Sequence, residues 1–244
     1  MGKTVMKPGC MMGPLPAVLV SCADKEGNTN LITAAWTGIL NSEPPMAYVS
    51  IRPERFSHHM IKETGEFVIN LTTAAMAAGT DLCGVKSGRD TDKWKAGGFT
   101  PEKAAEVKCP IVKESPVSVE CRVKQILPLG SHDMFLGEIV AVDADDAYFD
   151  RNGRFDLNRA GLISYVHGSY VDAGKVLGTF GYSVRKKPVK KTGAAAAAGP
   201  AEKAAAKKQA AAKKPAAKAA AKKPAAKTAV GKRTAAKGNA KKGS

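Results

Sequence analysis

Hydrophobic positions along the chain fall in short runs broken by turn residues, a pattern of many strands and few helices. Pro14 and Pro16 lead into Ala17-Val-Leu-Val-Ser-Cys-Ala23, which reads as a buried strand, and residues 24–30 supply the polar turn of a hairpin. A second strand is predicted over 31–40, stopped by Asn41-Ser-Glu-Pro-Pro45, and a third over 46–52. Ser57 is placed to cap a helix over 57–64, after which Glu66-Phe-Val-Ile-Asn-Leu71 resumes strand character. The alanine-rich stretch 72–83 predicts a second helix, and Asp90 opens a capped turn over 90–95. Val117-Ser-Val-Glu-Cys-Arg-Val-Lys124 alternates apolar and polar at every step, so one face is buried and the other wet. A turn at 129–133 leads to another long strand over 134–142, in which Gly137 marks a bulge or a close backbone approach. Shorter strands are expected over 161–166 and 176–180. Without a repeated βαβ rhythm, the chain predicts a mainly β, antiparallel barrel with inserted short helices. A doubly wound nucleotide fold is disfavoured, because Gly174, Gly178 and Gly181 have the wrong spacing and no helix follows.

Charge divides the chain. Residues 1–183 carry 19 Lys and Arg against 21 Asp and Glu, whereas 184–244 carry 19 against one. The net charge of +16 therefore belongs to a tail of Lys, Ala and Pro that lacks the apolar bulk to offset the entropy of ordering. The expected organisation is a globular domain over 1–183 and a disordered basic tail over 184–244. Within the tail, Lys213-Lys-Pro-Ala-Ala-Lys recurs nine residues later as Lys222-Lys-Pro-Ala-Ala-Lys.

Five scattered cysteines without a C-x-x-C pair suggest neither a disulfide framework nor a zinc site, and fit a reducing cytoplasm. Leu19-Val-Ser-Cys22 resembles a lipoprotein cleavage box, but the apolar run before it is short and interrupted by Pro14 and Pro16. No run approaches the ~18 apolar residues of a membrane span.

Candidate chemistry concentrates in Ser50-Ile-Arg-Pro-Glu-Arg-Phe-Ser-His-His59. A strand ends there, Arg52 and Arg55 emerge, and a helix N-terminus opens beside them. Exposed N–H groups, the helix dipole and planar guanidinium donors together suit a phosphate or carboxylate.

Seven segments in order carry a resemblance: Asn30-Leu-Ile-Thr-Ala-Ala-Trp36, Ser42-Glu-Pro-Pro45, Val49 to His58, Gly65-Glu-Phe-Val-Ile-Asn70, Cys83-Gly, Ser87-Gly-Arg-Asp-x-Asp-Lys93 and Gly130-Ser-His132. Over roughly residues 10–183 the chain resembles the flavin reductase-like, FMN-binding split-barrel family, close to its flavoredoxin type. The resemblance implies a Greek-key split barrel that binds FMN near a homodimer interface and moves electrons from NAD(P)H, or from a protein partner, through the flavin. It places the FMN phosphate at Arg52, Arg55 and Ser57, with His58 facing it, and adds Ser87, Gly88 and Lys93 to the phosphate side. It places Thr33, Ala34, Ala35 and Trp36 along the isoalloxazine, and counts Ser50, Ile51 and Cys83 among the cofactor-binding residues. Asn70 either hydrogen-bonds the flavin or caps the segment from Thr72. His167 and Tyr170 belong to a late segment that closes over the flavin, and His167 and His132 are the only candidates for a catalytic side chain. Hydride transfer is the cofactor's own chemistry, so catalysis is mostly positioning.

The tail resembles the lysine- and alanine-rich tails of linker histones and some nucleoid proteins. Nineteen cations with one anion and no aromatic residue would bind nucleic acid through 185–244 without base stacking or sequence preference. The alternative function is accordingly a nucleoid-associated protein whose FMN barrel is a structural or sensing module.

Overall fold

The computed structural model describes residues 1–185, and the expectations for the basic tail lie, from residue 186 on, outside the described residues. Ten elements build the body: β1 (Val18–Ala23), β2 (Thr29–Ala34), β3 (Thr37–Ser42), β4 (Pro45–Ile51), α1 (Phe56–Thr64), β5 (Glu66–Leu71), α2 (Ala77–Val85), α3 (Lys93–Gly97), β6 (Val117–Pro128) and β7 (Asp133–Ala144). The strands form one seven-stranded antiparallel sheet in the order β2-β1-β5-β6-β7-β4-β3. Its two edge strands, β2 and β3, are consecutive in the chain and joined by Ala35-Trp36. The sheet curls into a barrel that stays split at this joint. The single strand expected over 31–40 is therefore two, because the chain leaves one edge of the sheet at Ala35 and re-enters at the other.

Inside, Val18, Val20, Val49, Phe67 and Phe135 are fully buried and Ile32 nearly so, and Met60 and Ile61 of α1 pack against them. A Cβ at Gly137 would stand 2.9 Å from Cys121 Cβ and from the Phe67 ring, and the β6·β7 register shifts beside it. Only a glycine admits that approach, as its place in the strand pattern suggested.

Several local expectations change. α1 begins at Phe56 and its N-cap is Arg55, with no side-chain cap. Ser57 sits inside the helix, turned inward, where its hydroxyl accepts a 2.8 Å hydrogen bond from Asn30 Nδ2. A buried partner outcompetes the cap. The helix expected from Thr72 starts as a 3-10 turn at Ala74–Met76, because Thr72 donates its hydroxyl to Ala17 O (2.7 Å) and stays extended. No strand forms over 176–180. Leu177 and Phe180 are exposed and have no face to bury them. Instead β8 (Ile163–Val166) and β9 (Ser169–Asp172) form a hairpin around His167 and Gly168, which pairs with Leu15–Pro16 in a small second sheet. None of the described helices is long and apolar enough to cross a membrane.

Candidate functional site

The split in the barrel is a cleft with two lobes. The first, about 300 Å³, is lined on one side by Thr33, Ala34, Ala35 and Trp36, and on the other by Ser50, Ile51 and Arg52. Small side chains leave backbone groups of the β2–β3 joint accessible there, and Ser50 N–H fixes the joint by donating to Trp36 O at 2.8 Å. The Trp36 ring is 42 % exposed and lies parallel to His132, with centroids 6.2 Å apart and 8° between planes. Burial, reinforced by Arg52, holds His132 below its ordinary range, so its ring is neutral near pH 7. Tyr165 and Tyr170 of the β8–β9 hairpin form a further wall, edge to face at 5.7 Å. Burial pushes Tyr170 up to about 12, and the neighbouring Asp81 carboxylate adds to it. This lobe is lined mostly by apolar and aromatic side chains.

The second lobe, about 440 Å³, shares Ile32, Arg52, Arg55 and Val85 with the first, so the two are continuous. Its wall carries five cations, Arg52, Arg55, Lys86, Arg89 and Lys93, against the single acid Glu54. Glu54 lies 3.6 Å from Arg52. Arg55 donates to Gly84 O (3.2 Å), and Arg89 donates to Glu54 O (3.3 Å) with its guanidinium 5.6 Å over the Phe56 ring. A methyl group at Gly88 would run into the side chains of Asn30 and Phe56, so only glycine lets this loop lie close against the lobe.

Lys93 carries the strongest electrostatic statement. It is 4 % exposed, donates to Cys83 O at 2.8 Å, and has no carboxylate within ion-pair distance among the described residues. Burial, with Arg55 adding to it, holds its ammonium below the ordinary range. A buried cation facing a cationic lobe is costly until an anion enters, and a bound anion would reverse both effects. The donor set fits a dianionic phosphate, and the aromatic-lined lobe beside it suits a planar ring.

Most residues expected from the sequence meet here. Thr33 to Trp36, Ser50, Ile51, Arg52, Arg55, His132 and Tyr170 line the first lobe, and Ser57, Ser87, Gly88 and Lys93 line the second. Four do not. His58 is turned inward, with Nε2 2.8 Å from Asp133 Oδ2 and its ring edge to face with Phe135, so it faces neither lobe. Asn70 is wholly buried: its amide donates to Leu19 O and Ser21 Oγ, while Oδ1 accepts from Val112 N and Ser118 Oγ. It neither reaches the cleft nor caps a helix. Cys83 packs among Leu19, Leu31, Met76 and Trp94, and serves the site only through the carbonyl that holds Lys93. His167 is exposed at the hairpin tip, outside both lobes, beside a cavity with Cys10, Met12 and Leu15 that adjoins the first lobe at Trp36 and Tyr165.

Sequence reasoning missed Asp81, Val85, Lys86 and Tyr165. Gly84 and Arg89 lay inside the quoted Cys83-Gly and Ser-Gly-Arg segments and were recoverable from them. The others reach the cleft through the packing of α2 and the hairpin, for which the local sequence holds no signal. Among the described residues no cluster of His, Cys, Asp or Glu could hold a metal ion.

Comparison with known proteins places this geometry in context. The flavin reductase like domain matches residues 11–168. A relative of uncharacterised function from Archaeoglobus fulgidus is 35% identical over 129 residues, covering 53% of this chain and 72% of the relative. Flavoredoxin of Desulfovibrio vulgaris (Miyazaki F) superposes with a TM-score of 0.70 at 28% identity, covering 75% of this chain and 100% of that one. An FMN-binding protein from Thermus thermophilus, with bound 1-cyclohex-2-enone, superposes with a TM-score of 0.58 at 25% identity, covering 70% and 93%.

Proposed function

The chain belongs to the flavin reductase-like domain family, and from that membership we propose that its cleft binds FMN and that the protein is an oxidoreductase taking electrons from NAD(P)H. The carrying observation is Lys93, a buried ammonium without a carboxylate among the described residues, in a cationic lobe continuous with an aromatic-lined one. Lys93, Arg55 and Arg89, with Ser87 and the close-lying Gly88 loop, hold the phosphate. Backbone groups from Thr33 to Trp36 meet the polar edge of the ring, and Trp36, His132 and Tyr170 exclude water around it. When bound, FMN supplies the hydride chemistry. No side chain needs to act as nucleophile, and a neutral His132 adds no positive charge beside the ring. Anaerobic NADH or NADPH is expected to bleach the oxidised-flavin absorption of the FMN-loaded protein. Bound FMN that neither nucleotide reduces would contradict the NAD(P)H reading and favour electron delivery by a protein partner.

A second copy of the chain covers the open side of the split. Supporting this, β3 is an edge strand that exposes Ile39 (72 %) and Leu40 (42 %), beside the exposed Trp36. The mass in solution should be that of a dimer, and Ile39→Lys should shift it towards the monomer.

The tail adds a polyanion-binding function. Its 19 cations against one anion favour duplex DNA without sequence preference. Full-length protein should bind DNA at low salt, losing affinity with a slope of about −0.9 in log–log terms per phosphate neutralised, and a chain ending at Ser183 should not. Equal binding by both forms contradicts this assignment. Robust NAD(P)H turnover by the shortened chain would make the oxidoreductase role primary and the nucleoid role subsidiary.

A further inference from the structure

Two carboxyl groups on β6 and β7 take no part in the cleft. Glu120 of β6 is wholly buried, and its oxygens accept from three consecutive backbone N–H groups: Ala105 (2.7 Å), Glu106 (2.8 Å) and Val107 (2.8 Å). The next amide, Lys108 N–H, donates to Glu66 at 2.9 Å. Successive amides turned to one side form an anion cradle, here filled by the chain's own carboxylates. Held this way, the strap over residues 104–109 lays Ala104, Val107 and Cys109 against Ala23 and Val68.

Asp143 of β7 stands beside Glu120. The register pairs Ala141 with Glu120 and Asp143 with Ser118, so Asp143 and Glu120 are diagonal neighbours on one face of the sheet. Asp143 Oδ2 is buried and no donor reaches it. The cradle's amides are already committed to Glu120, so a second carboxylate there has no compensation. A proton between the two supplies the missing donor.

We propose that Asp143 carries a proton that it donates to the Glu120 carboxylate, and that this proton latches the 104–109 strap, which loosens when rising pH removes it. The charged groups around the latch do not replace it. Glu102, Asp145 and Asp146 line the cavity of about 340 Å³ beside Asp143 and are of the same sign, and Lys113, the one cation there among the described residues, makes no ion pair with it. On the far side Arg122 is engaged with Glu66 (3.7 Å), Glu106 (3.6 Å) and the Glu106 carbonyl.

Burial, with Glu120 adding to it, pushes Asp143 up to about 6 from an ordinary value of 3.8. Burial works in the same direction on Glu120, but the bonds from Glu106, Ala105 and Val107 outweigh it and hold that group below its ordinary range. Opening the strap would return the pair to water, where Asp143 takes its ordinary value, so the closed strap holds the Asp143 proton more tightly than the open one. Closure is therefore favoured at low pH and weakens as pH rises through about 6.

Amide hydrogen exchange on the full chain tests this. After correction for intrinsic exchange, protection at 105–107 should fall about tenfold between roughly pH 5 and pH 7.5, while amides of the β1·β5 ladder change less than about twofold. Alkylation of Cys109, corrected for its thiolate fraction, should rise in parallel. Asp143→Asn keeps a donor towards Glu120 without a titrating proton and should flatten both profiles. A flat wild-type profile overturns the latch whether or not the variant folds, and an unchanged slope in Asp143→Asn overturns it equally.

Discussion

Replacing Lys93 by methionine should weaken FMN binding about thirtyfold while leaving the melting temperature of the FMN-free protein no lower than before. The two effects share one cause. Methionine fills similar space without charge, so the ligand-free protein no longer buries an ammonium that only the Cys83 carbonyl satisfies. The bound state loses a charge-assisted contact worth about 2 kcal/mol. A structural lysine would behave oppositely, losing stability and keeping affinity. Calorimetric titration with FMN and a thermal scan of the ligand-free variant check the pair, and unchanged affinity would remove Lys93 from the phosphate site.

Asn70→Ala should separate folding from binding in the other direction. Five hydrogen bonds converge on this amide, three as donor to Leu19 O, Ser21 Oγ and Val68 O, two as acceptor from Val112 N and Ser118 Oγ. Alanine leaves those partners unpaired in the buried layer on the outer face of the sheet, at a cost of about 3 kcal/mol. For a domain of this size that lowers the melting temperature by about 6 to 12 °C. FMN affinity of the folded fraction should stay within about twofold, because the amide does not reach either lobe. A loss of affinity as large as that of Lys93→Met would return Asn70 to the site.

The contrast between these two residues shows what the sequence could carry. Most strands were legible because the barrel's alternation is local, and β6 and β7 proved longer than their patterns, not misplaced, whereas the strand expected over 176–180 does not form. Arg52 and Arg55 stood out by residue type at a strand end beside a helix, the Ser87 to Lys93 segment only through the family resemblance, and both line the cationic lobe. Where local signals offered two outcomes, tertiary partners decided. Ser57 suits a cap by composition, yet Asn30, 27 residues away, claims its hydroxyl. His58 was placed by adjacency to the grip, but α1 points it at Asp133, 75 residues on. The break at Ala35-Trp36 was invisible because a continuous run of strand formers does not say that the chain crosses from one edge of a sheet to the other. That crossing creates the cleft.

The most direct test of the account compares FMN with riboflavin, which has the same ring and no phosphate, in titrations of the full chain at one salt concentration. Binding through the cationic lobe predicts that FMN binds at least about a hundredfold more tightly, since several charge-assisted contacts of about 1.5 to 3 kcal/mol each fall on the phosphate. Equal affinities, or no binding of either, would contradict it.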